Sequence, residues 1–194
     1  EKLQDGYISD FIEKPKDFVS DLAIIGIYYF RDGNKVKEEI QYLLDNDLRE
    51  NGEYLLTNVL ETLKQEGAKF IPGTVDIWMD CGKKDPTVDT NKKILQIEEE
   101  QGNNLVSDSV IIENSQIVQP CYIGENVVLK NSKVGPYVSI GANTVVEDSE
   151  IVNSLIQTNA KISNAGLNNA MIGHHAKYNG KFTSVSIGDY TELI

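Results

Sequence analysis

The stretch V-I-I-E-N-S-Q-I-V-Q-P-C-Y-I-G-E-N-V-V-L-K-N-S-K-V-G, residues 110–135, decides the fold. Its aliphatic residues recur at intervals of five or six, and the ladder runs on through the C-terminal half: Ile111, Ile117, Ile123, Leu129, Val134, Ile140, Val146, Ile151, Ile156, Ile162, Leu167 and Ile172. Neither an α-helix, with its period of about 3.6, nor a strand, with its period of 2, repeats in this way. Glycine follows the ladder residue at Gly124, Gly135, Gly141 and Gly173, and an Asn or Asp returns one coil later at Asn114, Asn131, Asp148 and Asn164. The spacing predicts a left-handed parallel β-helix, in which each coil is a triangle of three short strands and the repeated aliphatic side chains fill a narrow prism. Glycine and Asn suit the corners, where the backbone enters the left-handed region. Hexads shortened to five residues give coils of 17 or 16 residues, and about four coils are expected. After Tyr178 the segment N-G-K-F-T-S-V-S-I-G-D-Y breaks the spacing and reads as a projecting loop or a cap.

Upstream the period changes. Asp5-Gly6 precedes the apolar residues Tyr7, Phe11 and Ile12, as a turn precedes the second strand of a hairpin. The run L-A-I-I-G-I-Y-Y-F, residues 22–30, is continuous enough to predict a strand buried on both faces. Val36, Ile40, Leu43 and Leu44 fall at helical intervals over residues 35–48. Leu55, Leu56, Val59, Leu60 and Leu63 form a second stripe, closed by Gly67 as a C-terminal cap. Short strands are expected at 69–71 and 75–78, and a third helix from 85 to about 100. These elements predict a thin α/β layer over residues 1–100, followed by the all-β solenoid over residues 101–194.

Composition narrows the function. With 18 Lys and Arg against 30 Asp and Glu, the formal charge of -12 argues against nucleic acid and anionic membranes as partners. No apolar run reaches the ~20 residues that cross a bilayer, and the first residues have no signal-peptide pattern, so a cytoplasmic protein is expected. Only two cysteines occur, Cys81 and Cys121, which suggests free thiols rather than disulfides or a thiolate metal site.

Four motifs precede the ladder: F-I-E-K-P at 11–15, G-I-Y at 26–28, G-E-Y-L-L-T-N at 52–58 and W-M-D-C-G at 78–82, the last followed by N-K-K-I-L at 91–95. In this order and at these separations the chain resembles the second half of the sugar-1-phosphate nucleotidylyltransferases, especially the glucose-1-phosphate thymidylyltransferase type. Some members of that family carry a C-terminal hexapeptide β-helix, so the likeness covers nearly the whole chain. The resemblance implies a partial nucleotidyltransferase domain of Rossmann-like α/β character, and a reaction in which an NTP and a sugar 1-phosphate, dTTP and glucose 1-phosphate here, give an NDP-sugar and pyrophosphate. It implies that Lys14 binds the sugar phosphate, that Glu13 accepts from sugar hydroxyls and that Asp80 is one of two aspartates on Mg²⁺. Gly26 would let the backbone approach the sugar, and Glu53 would hold a hydroxyl or support the pocket. Each residue also has a plain structural reading: Lys14 as a solvated lysine at a strand end, Asp80 as a strand terminator, Trp78 as core, Tyr28 as packing.

The chain departs from the family at one point that matters. The glycine-rich triphosphate loop, G-G-x-G-T-R-L followed by a lysine, and the second metal-binding aspartate do not occur in these 194 residues. The expectation is therefore a fragment that is inactive alone and exposes a sheet edge prone to pair with another copy. Two rival readings concern the ladder. Hexapeptide β-helices also build acyltransferases that use a histidine as general base, and His174 and His175 follow Gly173 in M-I-G-H-H-A-K. Alternatively, the β-helix is a non-enzymatic module for homo-oligomerisation or regulation.

Overall fold

The computed structural model describes residues 2–12, 15–180 and 184–193, with the backbone alone at residues 2 and 3. Contacts group the chain into two compact units, Glu1–Trp78 and Met79–Ile194.

In the first unit β1 (Lys2–Gln4) and β2 (Tyr7–Asp10) pair antiparallel across Asp5 and Gly6, both at positive φ, the two-residue turn that the D-G pair announces. Helix α1 (Gly33–Asp45) starts after Asp32, whose carboxylate accepts from the amides of Asn34 at 3.1 Å and Lys35 at 3.3 Å. Helix α2 (Leu56–Gln65) ends at Gly67, whose φ of 96° is the glycine-favouring cap conformation. The predicted stripe packs as intended: Val59 and Leu63 meet Val36 and Leu43, while Leu60 meets Ile8 and Phe11. Phe11 also sets its ring edge-on to Phe70, with centroids 5.1 Å apart.

The strands expected at 22–30, 69–71 and 75–78 are not formed. A strand exists by pairing, and the described sheet of this unit has two strands only. Ile24 and Phe30 reach the core, but Ile27 is 76% exposed and Tyr29 90%, so the run is not buried on both faces. Residues 69–71 come nearest to the expectation: the Ile8 amide donates to the Phe70 carbonyl at 2.9 Å, alongside β2.

The second unit opens with helix α3 (Lys84–Glu100) and continues into a parallel β-solenoid of about five turns, against the four expected. Its three sheets have four, five and six strands. The first stacks Gln116–Ile117, Lys133–Val134, Glu150–Val152 and Gly166–Asn168. The second stacks Cys121–Ile123, Val138–Ile140, Ser154–Ile156, Met171–Ile172 and Ser186–Ile187, and the third runs from Ile111–Glu113 to Glu192–Leu193. The extra turn comes from the segment after Tyr178. Ile187 pairs with Ile172 and Leu193 with Tyr178, so that segment rejoins the stack. Residues 181–183, within the stretch read as a loop, lie outside the described residues. Tyr178, 1% exposed, is itself a rung in register with Ile162. At the other end the rung is Ile112, in register with Leu129, and not Ile111.

Corner residues enter the left-handed region in three rows: Asn114, Asn131, Asp148 and Asn164; Asn126, Asn143, Asn159, His175 and Tyr190; Tyr137, Asn153 and Asn169. In the first row Asn114 donates to Asn131 at 2.9 Å and Asn131 to Asp148 at 3.1 Å, an amide ladder along the stack. Beside it runs a hydroxyl ladder. Ser115 accepts from the Ser132 amide, Ser132 from the Ser149 amide and Ser149 from the Ala165 amide, at 2.9–3.1 Å. These bonds satisfy backbone donors that the turn leaves without a strand partner. Equivalent positions lie 17 residues apart in the first coils, then 16, then 15 at the end of the chain.

Helix α3 groups with this unit by contact, the boundary between the compact units falling between Trp78 and Met79. The helix buries Val88 and Leu95, and it packs on the sheet that contains Val138–Ile140 and Ser154–Ile156. No described helix is long and apolar enough to cross a membrane.

Candidate active-site residues

Glu13 and Lys14 lie outside the described residues, but the strand leading toward them is held at its exit. The Phe11 amide donates to Glu61 Oε2 at 3.3 Å, Lys64 Nζ donates to the Ser9 carbonyl, and Lys64 and Glu61 form an ion pair at 2.6 Å. Burial pushes the Glu61 carboxyl up, but bonds from Lys64, Gln65 and the Phe11 amide outweigh it and hold the group below its ordinary value. Two side chains of α2 thus replace a neighbouring strand as partners for the end of β2.

Gly26 sits at φ 79°, and a Cβ there would meet nothing within 4 Å. The position requires glycine for its backbone conformation, not for lack of room. Glu53 closes a tight turn: Glu50 and Glu53 exchange backbone hydrogen bonds of 2.9 and 3.0 Å across Asn51 and Gly52, both at positive φ. The glutamate side chain is exposed. Gly26 and Glu53 belong to the first unit and Asp80 to the second.

Asp80 heads a loop built around its own side chain. Its Oδ1 accepts from the Gly82 amide at 2.8 Å, and its carbonyl accepts from the Thr90 hydroxyl at 3.0 Å. Thr87 ties the same loop to α3 through the carbonyls of Cys81, at 3.1 Å, and Lys83, at 2.7 Å. The carboxylate is exposed, offering a hard oxygen ligand to solvent. Among the described residues no group of three or more His, Cys, Asp or Glu side chains could hold an ion.

Sequence reasoning missed the fastening of α3 to the solenoid. Lys84 Nζ donates to the Asn169 carbonyl and to Ser184 Oγ, each at 3.0 Å, and the Asn169 side-chain amide donates to Asp85 Oδ1 at 3.0 Å. Lys84 also pairs with Asp85 at 2.8 Å; that contact and the Asn169 bond hold the Asp85 carboxyl below its ordinary value. One turn of helix after Val88, Asn91 accepts from Ser139 Oγ at 2.5 Å. The signal was Asn91 itself, a short polar side chain at the head of N-K-K-I-L, whose partner lies 48 residues away and cannot be read from spacing.

The two histidines differ. His175 occupies a corner, at φ 56°, and its ring stacks on Tyr190, the equivalent corner of the next coil, at 4.7 Å. His174 is half-buried, with Nδ1 2.8 Å from Thr158 Oγ1. Asp189 accepts from the His174 backbone amide at 2.7 Å, so the carboxylate orders the coil and not the imidazole.

Comparison with known families bears on the part of the chain that precedes the solenoid. Residues 2–97 match the family model of the nucleotidyl transferases, and the first half of the chain carries a nucleotidyltransferase domain. The match takes in every motif quoted above, from F-I-E-K-P to N-K-K-I-L, and stops before the solenoid ladder. No curated protein matches the chain.

Proposed function

We propose that this chain supplies the sugar-phosphate side of a sugar-1-phosphate nucleotidylyltransferase, with glucose 1-phosphate and dTTP as substrates on the strength of its overall likeness to the thymidylyltransferase type. The observation that carries the reading is the family match over residues 2–97, within which F-I-E-K-P and W-M-D-C-G stand in the order such a site needs. In this chemistry a sugar phosphate oxygen attacks the α-phosphorus in line and pyrophosphate leaves, so the protein's task is positioning and charge neutralisation. Lys14 supplies positive charge to the sugar phosphate, and Glu13 accepts from a sugar hydroxyl. Gly26 and Glu53 shape the sugar side, the first by its backbone and the second by its exposed carboxylate. Mg²⁺ would neutralise developing phosphate charge, and Asp80 would be one of its oxygen ligands; these residues do not complete the coordination, since magnesium draws the rest from water and substrate phosphates.

The 194 residues contain no glycine-rich triphosphate loop, so the polypeptide alone is proposed to be inactive, and to work in the cytoplasm within a homo-oligomer organised by the solenoid. The test is a phosphorus NMR titration of the chain with glucose 1-phosphate in the presence of Mg²⁺. Binding should be weakened by Lys14→Ala, and its magnesium-dependent part removed by Asp80→Asn. A chain that binds no sugar phosphate sinks the reading, and pyrophosphate released from dTTP and glucose 1-phosphate by this chain alone refutes its inactivity.

A second reading, acyl transfer with His174 as general base, has the Thr158 contact in its favour, because that bond fixes the imidazole and leaves Nε2 for an acceptor. Acetyl transfer to an amino-sugar phosphate that is lost in His174→Ala would establish it; no transfer by the intact chain would dispose of it.

A further inference from the structure

The cluster of Lys84, Asp85 and Asn169 is more than a packing contact, because of what lies on either side of it. On one side is the Asp80 loop, whose carbonyls at 80, 81 and 83 are held by Thr90 and Thr87 from the first turns of α3. On the other side is a solenoid corner. Asn169 stands at φ 57° and uses both halves of its peptide and side chain on the helix: its carbonyl takes Lys84 Nζ, and its amide reaches Asp85. The amides of the row containing Asn114 and Asn131 bond along the solenoid; this one bonds away from it. Ser184, in the last coil, joins the same lysine. The first turn of α3 is thus fixed in position by two successive coils, and the Asp80 loop is fixed in position by that turn.

We infer that Lys84 and Asn169 are positioning residues through which the solenoid sets the conformation of the Asp80 loop, so that the β-helix takes part in building the phosphate-transfer site as well as in assembly. This rests on the role proposed for Asp80. The coupling is short: Asn169 to Lys84 and Asp85, the α3 backbone to Thr87 and Thr90, and those hydroxyls to the loop. Apart from the α3 backbone itself, each link is a hydrogen bond between 2.7 and 3.1 Å.

The two thiols make the test local. Cys81 is exposed inside the loop and Cys121 is buried in the solenoid, so a disulfide reagent such as DTNB reads the first without the second. Asn169→Gly, which keeps the left-handed corner and deletes the amide, and Lys84→Met, which keeps the aliphatic stem, are compared with Lys84→Arg in the 194-residue chain. Both deletions should change the DTNB rate at Cys81 severalfold and shift the Gly82 amide resonance, while Cys121 stays unreactive and Lys84→Arg largely restores the original rate. If Cys81 and Gly82 are unchanged in both deletions, or change only when Cys121 also becomes reactive, the inference is overturned. If instead these probes respond but Asp80→Asn leaves magnesium-dependent binding of glucose 1-phosphate unaltered, the role of Asp80 fails, and the claim about phosphate transfer fails with it.

Discussion

Cys121 lies in the solenoid prism with its thiol donating to the Val118 carbonyl at 3.0 Å, and burial pushes its pKa up to about 11. Only the thiolate attacks disulfides, so at neutral pH one thiol per chain, Cys81, should react with DTNB and the second should appear only on unfolding; two fast thiols would contradict the packing. The same shift has a sign for stability. An unfolded thiol ionises near ~8.5, so the contribution of the neutral buried group is complete below that pH and is lost as the pH rises toward the folded value. Cys121→Ala should therefore flatten the alkaline limb of a stability-pH profile. Gly141 is constrained differently: a Cβ there would lie 2.6 Å from the Thr158 amide nitrogen of the next coil. Backbone cannot yield as a side chain does, and Gly141→Ala should cost about 1–3 kcal/mol, the range for overpacked cores, measured by denaturant unfolding. An alanine variant of unchanged stability would mean that the coils separate more readily than their hydrogen bonds suggest.

At the scale of elements, the helices carry more than their apolar stripes reveal. Glu61 and Lys64 of α2 hold the end of β2, and the Glu61 carboxyl titrates below its ordinary value. A depressed carboxylate stabilises fully above its unfolded pKa, ~4.3 for Glu, and the contribution is lost as the pH falls through the lower folded value. Glu61→Gln should weaken the first unit at pH 7 and make its acid unfolding less steep; an identical acid limb would remove Glu61 from the account. Helix α3 was legible as a helix, from 85 to 100 against the observed Lys84–Glu100, but not as part of the solenoid unit. Its buried residues, Val88 and Leu95, resemble any helix stripe, and only their partners say which core they enter. The solenoid itself was readable because its rungs repeat many times, and its errors sit at its ends. Ile111 and Ile112 are adjacent apolar residues with a neighbouring coil on one side only, and Tyr178 is a rung of the wrong chemical type for an aliphatic ladder. Of the site, the loop at Asp80 was legible as a motif, whereas its anchors Thr87, Thr90 and Asn169 were not, since ordinary polar residues show their role only through a partner. Residues 79–194 should accordingly form a more stable unit than residues 101–194, which would expose the surface that Val88 and Leu95 cover, each worth about 1.5–3 kcal/mol when fully buried. Equal melting temperatures for the two would mean that α3 is carried by the solenoid without supporting it.

Across the whole molecule, apolar surface is divided unequally between the two units. The solenoid encloses a continuous core from Cys121 to Ile187, with most of its rungs fully buried, and its backbone donors are satisfied coil by coil. The first unit has two small clusters around α2, and it leaves Phe18, Ile27, Tyr29, Ile71, Ile77 and Trp78 more than half exposed. Residues 22–30 have the composition of a buried strand but do not form one, and Ile24 and Phe30 are the side chains of that run that pack against the core. Stability scales with the apolar area removed from water and with backbone groups satisfied, and on both counts the first unit is the weaker. Heating should then give two transitions instead of one. Amide exchange at Val59 and Leu60 should become fast at a temperature where Cys121 is still closed to DTNB and the amides of Ile140 and Ile162 remain protected. Loss of both sets of signals in a single step, with the same midpoint by exchange and by thiol reaction, would show that the units unfold as one cooperative body. The thin core of the first unit would then draw its stability from the solenoid that follows it.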